Sequence, residues 1–234
     1  MSILKNVIFD LDGTLVDSLE GITSSILYAA RKNGHLLDEN IDIKSLIGPP
    51  MRDLLMKLLS HPSDTVIEQV LDNYREDYAN KGLIKTVVYN GVVSLLSALK
   101  EKGYAIYIAT SKRQVFAEEI VKNNNLSDFF VGIYGTTTDG RLDNKEVLLK
   151  HLMLDQKLNS RYVVFIGDRK EDVIAAIANN VPVIGAKWGY ADGNELEYAG
   201  AHYLCESPHE LLGTISVALT EHQNAAHLSA LRAP

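Results

Sequence analysis

Apolar and polar positions change period along the chain, and the changes mark its parts. The first apolar run, Val7-Ile8-Phe9, is short and uninterrupted and ends on two acids, Asp10 and Asp12, with Gly13 behind them. Such a run suits a strand buried on both faces. From 18 to 33 the period is helical, with Leu19, Ile22, Ile26 and Ala30 on one face and Asn33-Gly34 as the stop. Residues 41–60 read as helix broken at Gly48-Pro49-Pro50. Residues 63–80 read as a further helix, with Val66, Val70, Tyr74 and Tyr78 aligned. No strand is predicted from 17 to 86.

Beyond 86 the pattern alternates. Helices are predicted at 91–101, 112–124, 143–155, 170–179 and 192–199, and strands at 104–109, 131–135, 162–166, 181–184 and 201–204. A final helix opens at Ser207-Pro208-His209-Glu210, where serine suits the N-cap and proline the first helical position. The tail from Glu221 to Pro234 either extends that helix or is disordered. Strands alternating with helices imply a parallel sheet covered on both faces. The expected fold is therefore α/β: a doubly wound, Rossmann-like parallel sheet core from 1–16 and 87–234, with an all-α unit inserted at 17–86.

Composition narrows the functions open to such a fold. A net charge of −7 and a pI near 5.5 argue against a nucleic acid polymer as partner. They leave a small anionic substrate open, because a bound cation can reverse the field in a cleft. The lone Cys205 excludes an internal disulfide and reads as a small buried hydrophobe. With neither a signal peptide nor an apolar run long enough for a membrane span, the expected location is the cytoplasm.

Candidate chemistry lies at the predicted strand ends, where α/β sheets place their sites. Asp10 and Asp12 would share a face if the first strand continued. Thr110 and Ser111 offer hydroxyls at a strand-to-helix junction, where backbone N–H groups bind anions; read alone, they are an ordinary N-cap. Lys145 opens a helix, against the helix dipole. That position suits a lysine that neutralises an anion, although alone it reads as a surface residue, and Arg141 competes for the role. Asp168 ends a strand behind Gly167, and Asp172 lies four residues on along the same helical face. Two acids opening a helix also satisfy its dipole.

The stretch Asp10-Leu11-Asp12-Gly13-Thr14-Leu15 resembles the signature of the haloacid dehalogenase superfamily. The helical insertion after the first strand resembles the members with a small helical cap. What the resemblance implies is specific. Asp10 attacks phosphorus and forms an aspartyl-phosphate. Asp12 protonates the leaving alcohol, then activates water, and its backbone carbonyl ligates the metal. Thr110, assisted by Ser111, and Lys145 hold the phosphoryl group. Asp10, Asp12 and Asp168 hold Mg2+, with Asp172 one layer out. The dehalogenases lack the second acid, so Asp12 argues for phosphoryl transfer.

The loop Ile47-Gly48-Pro49-Pro50-Met51-Arg52 resembles that of phosphoglycolate phosphatase-like proteins, as do Trp188-Gly189-Tyr190 and the stretch from Ala199 to Tyr203. Gly167-Asp168-Arg169-Lys170 is closer to 5′-nucleotidase-like proteins. Arg52, the first cation after the loop, is the candidate to read the non-phosphate part of the substrate, against a plain surface role. Trp188 reads as packing. The expected function is a magnesium-dependent phosphatase of a small phosphorylated metabolite, most like phosphoglycolate phosphatase. The alternatives are a 5′-nucleotidase, a β-phosphoglucomutase-like phosphotransferase, and a non-catalytic binding protein.

Overall fold

The first apolar run forms a strand because both of its faces are covered. In the computed structural model, which describes residues 5–38 and 41–232, with side chains through 225, β1 spans Asn6–Phe9. Val7, Ile8 and Phe9 on it are wholly buried. There follow β2 (Val16–Asp17), α1 (Leu19–Lys32), α2 (Met51–Leu58) and α3 (Asp64–Asp77), which runs into a π-helical turn, Tyr78–Gly82. β3 (Val87–Val88) returns antiparallel to β2, with Val16 opposite Val88. The helical segment thus leaves and re-enters through two adjacent strands, each of two residues and too short for periodicity to announce.

The rest alternates: α4 (Val92–Glu101), β4 (Ala105–Arg113), α5 (Gln114–Asn123), β5 (Gly132–Thr136), α6 (Lys145–Asp155), β6 (Val163–Gly167), α7 (Lys170–Ala178), β7 (Val183–Ala186), α8 (Glu195–Ala199), β8 (Tyr203–Cys205) and α9 (Leu211–Arg232). The sheet order is β5-β4-β1-β6-β7-β8, with every neighbouring pair parallel. One face buries Val7, Phe9 and Ile108 with Leu96 and Leu99 of α4 and Ile215 of α9. The other buries Ile8, Tyr107 and Phe165 with Leu148 and Leu152 of α6 and Val173 of α7. Each such side chain contributes about 1.5–3 kcal/mol when fully buried. β1 is central, and the connections run one way to β4 and the other way to β6. That is a topological switch point, and the crevice beyond it is a natural ligand site. Among the described residues no helix is long and apolar enough to cross a membrane.

Three local expectations need correction. Residues 41–60 are not one broken helix: a single 3-10 turn, Lys44–Leu46, precedes α2. Pro50 caps α2 in extended conformation, and Pro49 before it is kept from helical angles by the next ring. β4 runs on to Arg113, past the expected helix start at 112. Its end is tied to β5 by Gln114, whose side-chain amide donates to Ile133 O at 2.9 Å and accepts from Gly135 N at 2.6 Å. The last helix opens at Ser207 with Pro208 first, as expected, but its first turn, Pro208–Glu210, is 3-10, and the Ser207 hydroxyl donates to Glu210 Oε1 at 3.2 Å and caps no backbone N–H. The tail takes the helical alternative as far as Arg232; residues 1–4, 39–40 and 233–234, on which parts of the expected boundaries fall, lie outside the described residues.

Candidate active site

Sheet register brings the strand ends together. Phe9 stands level with Ile108 on β4 and Ile166 on β6, so Asp10 emerges between Ala109-Thr110 and Gly167-Asp168. Its backbone N–H donates to Ile166 O at 2.8 Å. Gly13 then turns the chain at φ +80°, where a side chain would also overlap the Asp168 carboxylate. Thr14 Oγ1 donates to Asp168 Oδ1 at 2.9 Å, and Tyr190 N to Oδ2 at 2.7 Å. Trp188 Nε1 donates to Thr14 O at 3.1 Å, a structural role as expected.

Asp10, Asp168 and Asp172 form one buried cluster, with an oxygen of each within 4.8 Å of the others. Lys145, the first residue of α6, places Nζ 3.0 Å from Asp10 Oδ1 and also pairs with Asp172. Asn144 caps the helix instead, accepting from Val147 N at 3.0 Å, so the lysine is free to turn inward. Burial pushes the Asp10 carboxyl up to about 6, with Asp172 adding to the rise and Lys145 opposing it. Asp168 is raised well above the carboxylate range by burial, then by Asp172 and Asp10. Burial disfavours the Lys145 charge, yet the two carboxylates hold its pKa above the ordinary lysine value. Three crowded, desolvated acids against one ammonium suit a further cation, and an all-oxygen donor set suits Mg2+.

Asp12 faces elsewhere. Lys112 Nζ lies 2.7 Å from its Oδ2, and Ser18 Oγ donates to its Oδ1 at 2.6 Å. Of the expected ligand set, then, the carboxylates of Asp10 and Asp168 meet, that of Asp12 does not, and the backbone carbonyl remains the candidate atom of Asp12. Asp172, expected one layer out, stands in the cluster itself. Lys112 was not singled out from the sequence. Its ammonium sits 4.7 Å from the centroid of Tyr78, in the π-helical turn, so its two partners are far from it in sequence and nothing local marks it.

Thr110 is buried at the cavity floor, and its hydroxyl accepts from Lys112 N at 3.3 Å. Residues 110–113 are extended, so the expected helix N-terminus at Ser111 is absent; α5 begins three residues later. Arg141 is exposed, pairs with Asp139 at 2.6 Å, and is not brought to the cluster.

Above these groups lies a cavity of about 340 Å³ between the inserted helices and the sheet. Asp10, Asp12, Thr110 and Ser111 line its polar end; Ile47, Leu71, Tyr74 and Phe116 line its apolar wall. Arg52 reaches it but is held by Asp64 (2.5 Å) and by Glu68. Arg113 stands 6.0 Å from the Phe116 ring centroid, its pKa lowered by burial and by Arg75. Arg75 pairs with Asp72 at 2.9 Å, while its buried Nε has no partner.

Known proteins resemble this chain in sequence and fold. The model of the haloacid dehalogenase-like hydrolase family matches residues 7–186. A Pseudomonas aeruginosa protein named 5′-nucleotidase is 36% identical over 202 residues, 86% of this chain and 91% of that one. A phosphoglycolate phosphatase of Vibrio vulnificus is 23% identical over 92% of this chain and 97% of its own. The crystal structure of a Clostridium acetobutylicum protein described as a predicted phosphatase superposes with a TM-score of 0.85 at 37% identity, covering 91% of this chain and 99% of that one. Fold, sequence and the clustered strand ends agree: the chain belongs to the haloacid dehalogenase-like hydrolase family, as a phosphatase.

Proposed function

We propose that the chain is a magnesium-dependent phosphatase whose substrate is a small phosphomonoester of nucleotide type, a 5′-nucleoside monophosphate in preference to phosphoglycolate. The observation that carries the preference is the cavity. At about 340 Å³ with an aromatic and aliphatic wall, it lies within the roughly 300–1,000 Å³ of small-molecule pockets. A two-carbon acid would leave the Tyr74 and Phe116 side of it unfilled, whereas a nucleobase would occupy it. The 36% identity to a protein named 5′-nucleotidase supports the same choice over the phosphoglycolate phosphatase expectation.

In this reading residues 17–86 act as a cap over a core of 1–16 and 87–234. Asp10 attacks phosphorus, displaces the nucleoside alkoxide and carries the phosphoryl group as a mixed anhydride. Asp12, oriented by Lys112 and Ser18, gives the leaving oxygen its proton and then takes one from the attacking water. Lys145 screens Asp10 from the incoming phosphate. Thr110, with Ser111 beside it, offers a hydroxyl to the phosphoryl oxygens. Magnesium, held by Asp10, Asp168 and Asp172 with the Asp12 carbonyl, would supply charge neutralisation for the transferring oxygens.

A panel of nucleoside monophosphates, phosphoglycolate and glucose phosphates, assayed for inorganic phosphate with magnesium and with chelator, tests the proposal. Higher kcat/KM on phosphoglycolate than on every nucleotide would overturn the substrate class. An isomerised sugar phosphate without phosphate release would instead indicate the phosphotransferase, and no turnover of any ester the non-catalytic binding protein.

A further inference from the structure

Arg169 follows Asp168 directly, but its side chain turns away from the carboxylate cluster and lies almost wholly buried at the edge of the cavity that it helps to line. It is 5% exposed and crosses from the core to the loop ahead of α2. There Nη1 donates to the carbonyl of Ile47 and, at 3.4 Å, to that of Lys44, and Nη2 donates to Ser45 O at 3.0 Å. Behind it, Nε donates to Glu195 Oε1 of α8 at 2.8 Å, and Glu195 also accepts from Lys170 N at 2.8 Å. The loop comes down on the stem of the arginine as well. A Cβ at Gly48, at φ +140°, would lie 3.1 Å from Arg169 Cγ and 3.3 Å from Glu171 Oε2. Glycine is thus favoured at Gly48 by its backbone angle, and a side chain there would press on the arginine stem.

The two ends of Arg169 serve different parts of the site. Its backbone N–H is held by Asp172 Oδ2 at 2.9 Å, inside the carboxylate cluster. Its guanidinium holds the loop whose Ile47, Gly48 and Pro49 line the cavity over Asp10. Three carbonyls and a carboxylate need donors fanned in one plane, which a guanidinium supplies and a lysine ammonium does not.

We propose that Arg169 is a positioning residue that fixes the cavity roof, residues 44–49, relative to the carboxylate cluster, and so sets which leaving groups the enzyme accepts. This rests on the reading of the cavity as the substrate site. Large substrates need the roof in place; a small phosphoryl donor needs only the floor. Arg169→Lys should raise KM for the best nucleoside monophosphate roughly tenfold to a hundredfold, the effect of losing one or more charge-assisted hydrogen bonds. kcat should fall much less. The ratio of kcat/KM for that nucleotide to kcat/KM for acetyl phosphate should drop at least about tenfold. Gly48→Ala, pressing on the same stem, should change the ratio in the same direction.

An independent readout is hydrogen exchange in the magnesium-loaded protein. The amides of Ser45, Leu46 and Ile47 donate within the loop at 3.2, 3.0 and 3.2 Å. They should exchange faster in Arg169→Lys, while those of β1 and β6 keep the parent's rates. Unchanged exchange at 45–47, or an equal loss of kcat on both substrates, would overturn the proposal, the latter by assigning Arg169 to the Asp168 cluster alone. If the parent hydrolyses no nucleotide, the substrate reading fails, and the exchange comparison still decides the role of Arg169.

Discussion

Asp10→Asn should abolish turnover and stabilise the metal-free protein. The carboxyl is raised from an ordinary 3.8 to about 6, chiefly by burial. Keeping it ionised in the folded state therefore costs about 3 kcal/mol at pH 7.5, at roughly 1.4 kcal/mol per pH unit. The amide removes that cost, and Lys145 keeps Asp172 as a partner. The sign follows from linkage. A carboxyl with a raised folded pKa burdens the fold fully above that value and not at all below its unfolded one. The gain in the variant should thus be near its upper bound of about 3 kcal/mol at pH 7.5 and roughly half of that at pH 5. Urea denaturation in excess chelator at the two pH values measures it. Magnesium should narrow the difference at pH 7.5, because it stabilises only the parent's intact cluster. A variant no more stable than the parent at pH 7.5, or one with the same gain at both pH values, would refute the electrostatic account. Turnover within tenfold of the parent would refute Asp10 as nucleophile, since loss of a covalent nucleophile removes several powers of ten.

Chelation should abolish phosphate release and magnesium restore it, with calcium failing to substitute because it takes more ligands at longer distances; full activity in excess chelator would reject the metal. Since Asp10 and Asp168 are both raised by burial, protons compete with the metal, and the magnesium concentration for half-activation should rise as pH falls from about 7.5 to about 5.5; an unchanged midpoint would count against the cluster as its site. Lys112→Met keeps the stem against Tyr78 but removes the charge beside Asp12, and should lower kcat about tenfold to a hundredfold with little change in KM, a fraction of the ~10²–10⁴ that general acid–base catalysis supplies. Arg52→Ala should cost phosphoglycolate less than about threefold, because Asp64 and Glu68 already neutralise the guanidinium; a selective loss above tenfold would return Arg52 to reading the non-phosphate part of the substrate.

What could be read from the sequence, and what could not, divides along the reach of each interaction. Asp10 was legible because an apolar run buried on both faces leaves an acid at its end nowhere to go but the crevice, and Asp168 repeats the logic on β6. Lys145 was legible by its conflict with the dipole of its own helix, which two carboxylates resolve. Lys112 and Arg169 gave no such sign, since a lysine after Thr-Ser and an arginine after Gly-Asp violate nothing locally. Their partners lie on elements that meet only when the sheet register and the insertion are both in place: Lys112 finds Asp12 across 100 positions, and Arg169 finds Ile47 across 122. The same holds for Asp172, whose spacing fits a dipole partner and whose place in the cluster depends on β6 lying beside β1. Asp10 and Asp168 could thus be found from strand ends alone. Lys112, which orients Asp12, and Arg169, which fastens the roof, are products of tertiary structure. Substitutions at the carboxylates and at Lys112, which touches Asp12 directly, should therefore disturb chemistry first, and substitutions at Arg169 should disturb the relation between insertion and core.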